Sequence, residues 1–210
     1  MKNLLMPRYR VRRVTDLKAD ELKRLGIKGL ALDIDNTIAY DSVLTFIEGV
    51  PEWIQTMREG GIRLVIVSNA LPARARKISE MAGVPALGMS AKPMPFGFWR
   101  AARRMKIRVQ EMAVVGDQLL TDIRGGNLCG AVTIFVDPAR KEERNVKIFE
   151  SRRRREQPVL EAFDRLHPTA FTIWMLKPSS RKEAYCHETA CDQRAEFEYD
   201  RAARAVRLRE

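Results

Sequence analysis

The chain has 210 residues, 45% of them hydrophobic, which suits one domain with a real core plus an appendage. No stretch approaches the ~20 consecutive apolar residues of a membrane-spanning helix, and Arg8, Arg10, Arg12 and Arg13 break any signal-peptide-like apolar region, so a cytoplasmic protein is expected. Its net charge of +11 points to a polyanionic partner, and its three cysteines fit a reducing compartment better than a disulfide framework.

In chain order, the first buried strand is expected within Gly29–Thr37, GLALDIDNT. A parallel strand covered on both faces reads as a continuous apolar run, and in open α/β sheets the chemistry gathers at the strands' carboxyl ends. This run ends in Asp33 and Asp35, followed by Asn36 and Thr37. Two carboxylates there are costly without a cation, and a hard divalent ion with oxygen ligands supplies one. Pro51 then opens a helix that stops at Gly60. A second buried strand, Arg63–Asn69, ends in Ser68 and Asn69. A helix over Ala73–Ala82 closes at Gly83, Lys92 sits in AKPMP, and another helix covers Pro95–Met105. A third buried strand lies in Glu111–Asp122, EMAVVGDQLLTD, and ends at Gly116-Asp117 with Asp122 shortly after. A helix from about Thr121 toward Gly130 and a strand over Val132–Val136 complete an alternation that predicts a doubly wound parallel sheet.

The residue types at these strand ends suit phosphoryl transfer. A phosphomonoester dianion repels a carboxylate nucleophile, and a metal ion between them screens that repulsion. Asp33 is then the candidate nucleophile, forming an aspartyl-phosphate. Asp35 is the candidate general acid and base. Ser68, the Asn69 backbone amide and Lys92 are candidate ligands for the non-bridging oxygens. Asp33, the Asp35 carbonyl and Asp117 form a candidate metal site of oxygens alone, suited to Mg²⁺. Thr37 and Asp122 are expected to support it, Asp122 by orienting the metal or its waters.

These segments resemble the haloacid dehalogenase superfamily of phosphotransferases: DIDNT its first motif, VIVSN its second, Lys92 its third and GDQLLTD its fourth. More narrowly, LLMPRYRV, LKRLGIKGLALDIDNT, SAKPMPFGFWRA and AVVGDQLLTDIRGGN resemble the YqeG-type family of subclass IIIA, which also contains mitochondrial phosphatidylglycerophosphate phosphatases. Ile34 stands where that family often has Leu. The likeness covers residues 1–165, the expected phosphatase domain, and leaves 166–210 as a basic C-terminal extension. It implies a Rossmannoid fold, a Mg²⁺-dependent phosphatase and phosphatidylglycerophosphate as leading substrate. Another phosphomonoester is the first alternative; a basic RNA- or ribosome-associated binding protein on the same fold is the second.

Spacing adds that no cap domain fits. Asp35 to Ser68 leaves room for a loop and one helix, and Ser68 to Lys92 for one helix and one strand, whereas domains begin near ~50 residues. An open site suits either a macromolecular lid or a substrate held on another surface, such as a membrane. The basic blocks Arg8–Arg13 and Arg140–Arg155, the latter ending in Arg152–Arg155, are candidate peripheral membrane contacts. Nucleic acid is less favoured, because stacking aromatics are not interleaved with these arginines. Cys129 reads as packing, and Cys186, His187 and Cys191 match no zinc spacing.

Overall fold

A computed structural model describes residues 4–139 and 146–167. Six strands form one parallel sheet in the order β1-β6-β5-β2-β3-β4: β1 Tyr9–Val11, β2 Gly29–Leu32, β3 Arg63–Val67, β4 Ala86–Leu87, β5 Met112–Gly116 and β6 Val132–Val136. The helices are α1 Ala19–Arg24, α2 Val50–Glu59, α3 Pro72–Ala82, α4 Phe96–Met105, α5 Arg124–Cys129 and α6 Val146–Leu166. Three elements beyond the expected set are the edge strand β1, the short helix α1 and the long helix α6. A single π-helical turn, Leu119–Ile123, leads into α5 where one longer helix was expected.

The central strands are apolar at every position because each face has its own cover. Leu30, Leu32, Leu64, Ile66, Val115 and Ile134 point toward α1, α2 and α3, where Leu22, Trp53, Met57 and Ile78 meet them. Ala31, Val65, Val67, Met112 and Val114 point the other way, onto Phe98, Ala101 and Met105 of α4. This period-two division of an unbroken apolar run is how a doubly covered parallel strand appears in sequence. Trp53 also donates its indole N–H to the Leu17 carbonyl at 2.9 Å, tying α2 to the segment before α1. Cys129 packs beside the α4 cluster, as expected.

Helix α6 covers a third cluster, with Val159 and Leu160 against Leu119, Ile123 and Phe135. Both basic blocks contribute to this side of the fold. Arg10 bonds Asp137 (2.8 Å) and Asp164 (2.6 Å), so it joins β1, the end of β6 and α6. Arg10 and Arg153 each lie over the Phe135 ring, 5.8 Å from its centroid. Their placement differs from the expected lipid-facing role: two arginines of those blocks are turned into the structure, while Arg12, Arg13, Arg154 and Arg155 are exposed.

Register brings the motif segments level. Leu32 is paired with Ile66 on one side and Val115 on the other, so Asp33, Ser68 and Asp117 all emerge just past the same edge of the sheet. The connections after β2 and β3 contain only a loop with α2, and α3 with β4, so among the described residues no cap covers that edge. Among the described residues, no helix is long and apolar enough to cross a membrane. The 166–210 extension, with Cys186, His187 and Cys191, lies almost wholly outside the described residues, as does part of the Arg140–Arg155 block.

Candidate active site

Asp33 leaves β2 with its backbone N–H still bonded to the Val115 carbonyl, at 2.9 Å, which fixes its side chain at the sheet's carboxyl edge. Asp117 follows β5 directly. Asp122 returns to the same place because Gly116 has no side chain: a Cβ there would collide with the Asp122 carboxyl group. The Gly-Asp pair in the sequence therefore has a steric reason as well as a chemical one. One oxygen from each of Asp33, Asp117 and Asp122 lies within 4.8 Å of the others, and all three residues are buried.

Lys92 comes from the loop between β4 and α4. Its ammonium contacts Asp33 Oδ1 and Asp122 Oδ1, both at 2.6 Å, with its side chain only 3% exposed. Asn69 holds that loop: its side-chain amide donates to the Lys92 carbonyl (3.1 Å) and its Oδ1 accepts from the Lys92 N–H (2.8 Å). The Asn69 side chain is thus committed to positioning Lys92, which is compatible with the backbone amide as the phosphate donor. Ser68 is buried beside it, and its Oγ accepts from the Ala70 N–H at 3.1 Å. Thr37 is buried, and its hydroxyl oxygen has no partner.

Asp35 stands apart from this cluster. Its carboxylate is held by the Arg74 guanidinium, with Nη2 to Oδ1 at 2.7 Å and Nη1 to Oδ2 at 3.0 Å, and accepts the Ser42 N–H at 3.1 Å. Arg74 also donates to the Val43 carbonyl at 2.9 Å. One residue in the first turn of α3 thereby fixes both Asp35 and the loop that follows it.

Arg153 of α6 is the least expected member. It donates to Asp117 twice, to Oδ2 and to the backbone carbonyl, both at 2.8 Å, and to Glu156 Oε2 at 2.9 Å. Glu156 in turn accepts the N–H groups of Leu119 (2.7 Å) and Leu120 (3.3 Å), capping the turn that carries Asp122. The clue was in the spacing: Arg153, Glu156, Leu160 and Phe163 fall on one helical face. Arg74 had no comparable signal.

The electrostatics of the cluster follow from a charge count. Four buried carboxyls, of Asp33, Asp117, Asp122 and Glu156, face two cations, Lys92 and Arg153. Burial pushes the Asp33 carboxyl up to about 7; Lys92 opposes the rise and Asp122 adds to it. Burial also holds Asp117 well above the ordinary carboxylate range despite Arg153, and it raises Glu156. For Lys92, burial pulls the ammonium down, but Asp122 and Asp33 more than reverse it, so it stays charged. The cluster has two more carboxyls than cations, and its raised carboxyls reflect that shortage of positive charge. One divalent cation would supply it. The donors fit such an ion: all are carboxylate oxygens, and Asp117 Oδ1 is buried without any hydrogen-bond partner.

A sheet of this topology with acidic groups at its carboxyl edge defines a Rossmannoid phosphotransfer-type site. The model of the haloacid dehalogenase-like hydrolases matches residues 8–130, and the chain belongs to that family. Among curated relatives, "Probable phosphatase YqeG" of Bacillus subtilis is 34% identical over 165 residues, covering 79% of this chain and 95% of its own length. "Glyceraldehyde 3-phosphate phosphatase" of Methanopyrus kandleri is 31% identical, covering 57% of this chain and 59% of its own. "Phosphatidylglycerophosphate phosphatase 1, chloroplastic" of Chlamydomonas reinhardtii is 30% identical, covering 56% of this chain and 47% of its own.

Proposed function

We propose that this protein is a Mg²⁺-dependent phosphomonoester hydrolase that works through an aspartyl-phosphate on Asp33, with phosphatidylglycerophosphate as its leading substrate. The observation that carries the catalytic part is the buried cluster of Asp33, Asp117 and Asp122, bridged by Lys92 and short of two positive charges. A binding protein on this fold has no use for that arrangement, because uncompensated buried carboxyls destabilise the folded chain.

Asp33, Asp117 and Asp122 would hold the cation, which supplies charge screening between nucleophile and phosphate. The Asp35 carbonyl remains a candidate additional ligand. Asp33 attacks phosphorus; a P–O bond to Asp33 forms as the P–O bond to the leaving group breaks. Lys92, Ser68 and the Asn69 amide meet the oxygens on which charge accumulates. Asp35 delivers a proton to the leaving oxygen and recovers one from the water that attacks the phosphoryl-Asp33 bond at phosphorus. Two contacts from the Arg74 guanidinium hold its carboxyl group in place for both steps.

The lipid reading rests on the Chlamydomonas relative and on the lack, among the described residues, of a cap over the site. The Methanopyrus relative favours a second reading, a small soluble phosphomonoester. Phosphate release from a panel of phospholipid and soluble monophosphates separates them. The proposal expects phosphatidylglycerophosphate to give the highest kcat/KM; a soluble sugar or triose phosphate in that place overturns the lipid reading, and no metal-dependent turnover of any monoester overturns both.

A further inference from the structure

The mouth of the site is ringed by apolar side chains that a soluble surface does not need. Leu71, at the start of α3, is 72% exposed; Met89, before Lys92, is 65% exposed; and Phe96, at the start of α4, is 56% exposed. Val43, Met94 and Trp99 are exposed as well, and Phe96 and Trp99 meet edge to face at 5.6 Å. Single exposed apolar residues are ordinary, but a cluster at one functional edge marks an interaction surface.

The backbone shows that these residues are neighbours. The Val43 carbonyl is bonded to Arg74, three residues after Leu71. The Met89 N–H donates to the Ala70 carbonyl at 3.1 Å, and Met94 donates to the Ala91 carbonyl at 2.8 Å, in the loop that Asn69 ties to the strand end. All stand on segments that follow the carboxyl ends of parallel strands, the edge of the sheet at which Asp33 also lies. Exposed cations stand next to them: Arg76 and Lys77 in the first two turns of α3, Arg100 in α4 and Arg124 at the start of α5.

We infer that this rim docks the open site onto a bilayer containing anionic lipid. The inference rests on the lipid reading above and specifies the surface that serves it. Tryptophan, phenylalanine and aliphatic tips ringed by basic residues are the composition of a membrane-interface surface, with apolar tips among acyl chains and cations at headgroup depth. Charge decides against a second copy: two rims bearing the same cations, on chains of net charge +11, repel each other. A lipid phosphomonoester in such a bilayer presents its headgroup to Asp33 while its acyl chains stay in the membrane. The docking surface is therefore the site's own edge, while Arg10 and Arg153 of the two basic blocks serve the fold.

The test uses the full chain, phosphatidylcholine vesicles with and without phosphatidylglycerol, and lipids brominated on their acyl chains. Trp99 fluorescence, isolated by comparison with Trp99→Phe, is expected to be quenched by the brominated anionic vesicles. The Leu71→Ser/Phe96→Ser variant should bind them more than about tenfold more weakly. Turnover of soluble p-nitrophenyl phosphate should be the same in all three proteins, which also shows that the variants are folded. Vesicle binding without Trp99 quenching, or binding unchanged in the double variant, overturns the inference, as does absence of vesicle binding. Trp99 already shielded from acrylamide without vesicles also overturns it and assigns the rim to another part of the chain or to a second protein molecule. Quenching needs no turnover: a protein that docks yet prefers soluble monoesters keeps this inference and loses the proposed substrate.

Discussion

Replacing Arg153 with Met removes a buried guanidinium while keeping a side chain of similar reach. Arg153 is 12% exposed, its partners Asp117 and Glu156 are 1% and 0% exposed, and three short hydrogen bonds and its place over Phe135 disappear together. Removing one member of a buried ion pair typically costs 3–5 kcal/mol, because the remaining charge is left uncompensated. Glu156 retains its two backbone donors, so the low end applies: about 3 kcal/mol in chelator, or about 6–12 °C in Tm for a domain of this size. A cation on Asp117 compensates the same charge, so saturating Mg²⁺ should reduce the loss to about 1–2 kcal/mol. Thermal and urea unfolding of both proteins, with chelator and with Mg²⁺, measure the two differences. A loss below about 1 kcal/mol in chelator, or an equal loss with and without Mg²⁺, refutes the coupling between Arg153 and the metal site.

Other predictions concern the chemistry. Asp33→Asn should lower phosphate release by several orders of magnitude, and retention of more than about a tenth of turnover in a steady-state assay contradicts a nucleophilic role. In the metal-free protein Asp33 titrates at about 7, so it is mostly protonated near pH 6 and ionised near pH 8. Mg²⁺ binding should therefore release protons near pH 6, with affinity rising about tenfold in all between pH 6 and pH 8, as calorimetry in buffers of different ionisation enthalpy would show. Arg74→Gln should reduce kcat about 10–100-fold with little change in KM, because it loosens Asp35 rather than the phosphate ligands; a pure KM effect contradicts that assignment. Gly116→Ala should expel the Asp122 carboxyl group and weaken Mg²⁺ binding by about 10–100-fold, measured by titration.

The central strands were legible because burial on both faces forces unbroken apolar runs, and their polar endings marked the carboxyl edge. That edge is where Asp33, Ser68, Lys92 and Asp117 meet. The strand β1 was not legible: three residues pair with β6 more than a hundred positions away, and Arg10 among them reads as part of a surface block. Helix α6 was hidden by its own charge, since the run Arg152–Arg155 suggests solvent on every side. The spacing of Arg153, Glu156, Leu160 and Phe163 marks one face, and the fold turns that face inward while Arg154 and Arg155 stay exposed. The Arg74–Asp35 pair crosses from α3 to the loop after β2, a contact made by packing alone and carrying no mark in the local sequence.

The proposed mechanism turns on a covalent phosphoryl group formed on Asp33. Rapid acid quenching of the enzyme during turnover, followed by peptide mass spectrometry, tests it directly, using Asp35→Asn to slow hydrolysis of the intermediate. The account predicts a hydroxylamine-labile phosphoryl group on the peptide carrying Asp33, dependent on Mg²⁺ and absent from Asp33→Asn. Phosphorylation of a different residue, or an unmodified Asp33 in protein that is turning over substrate, contradicts it.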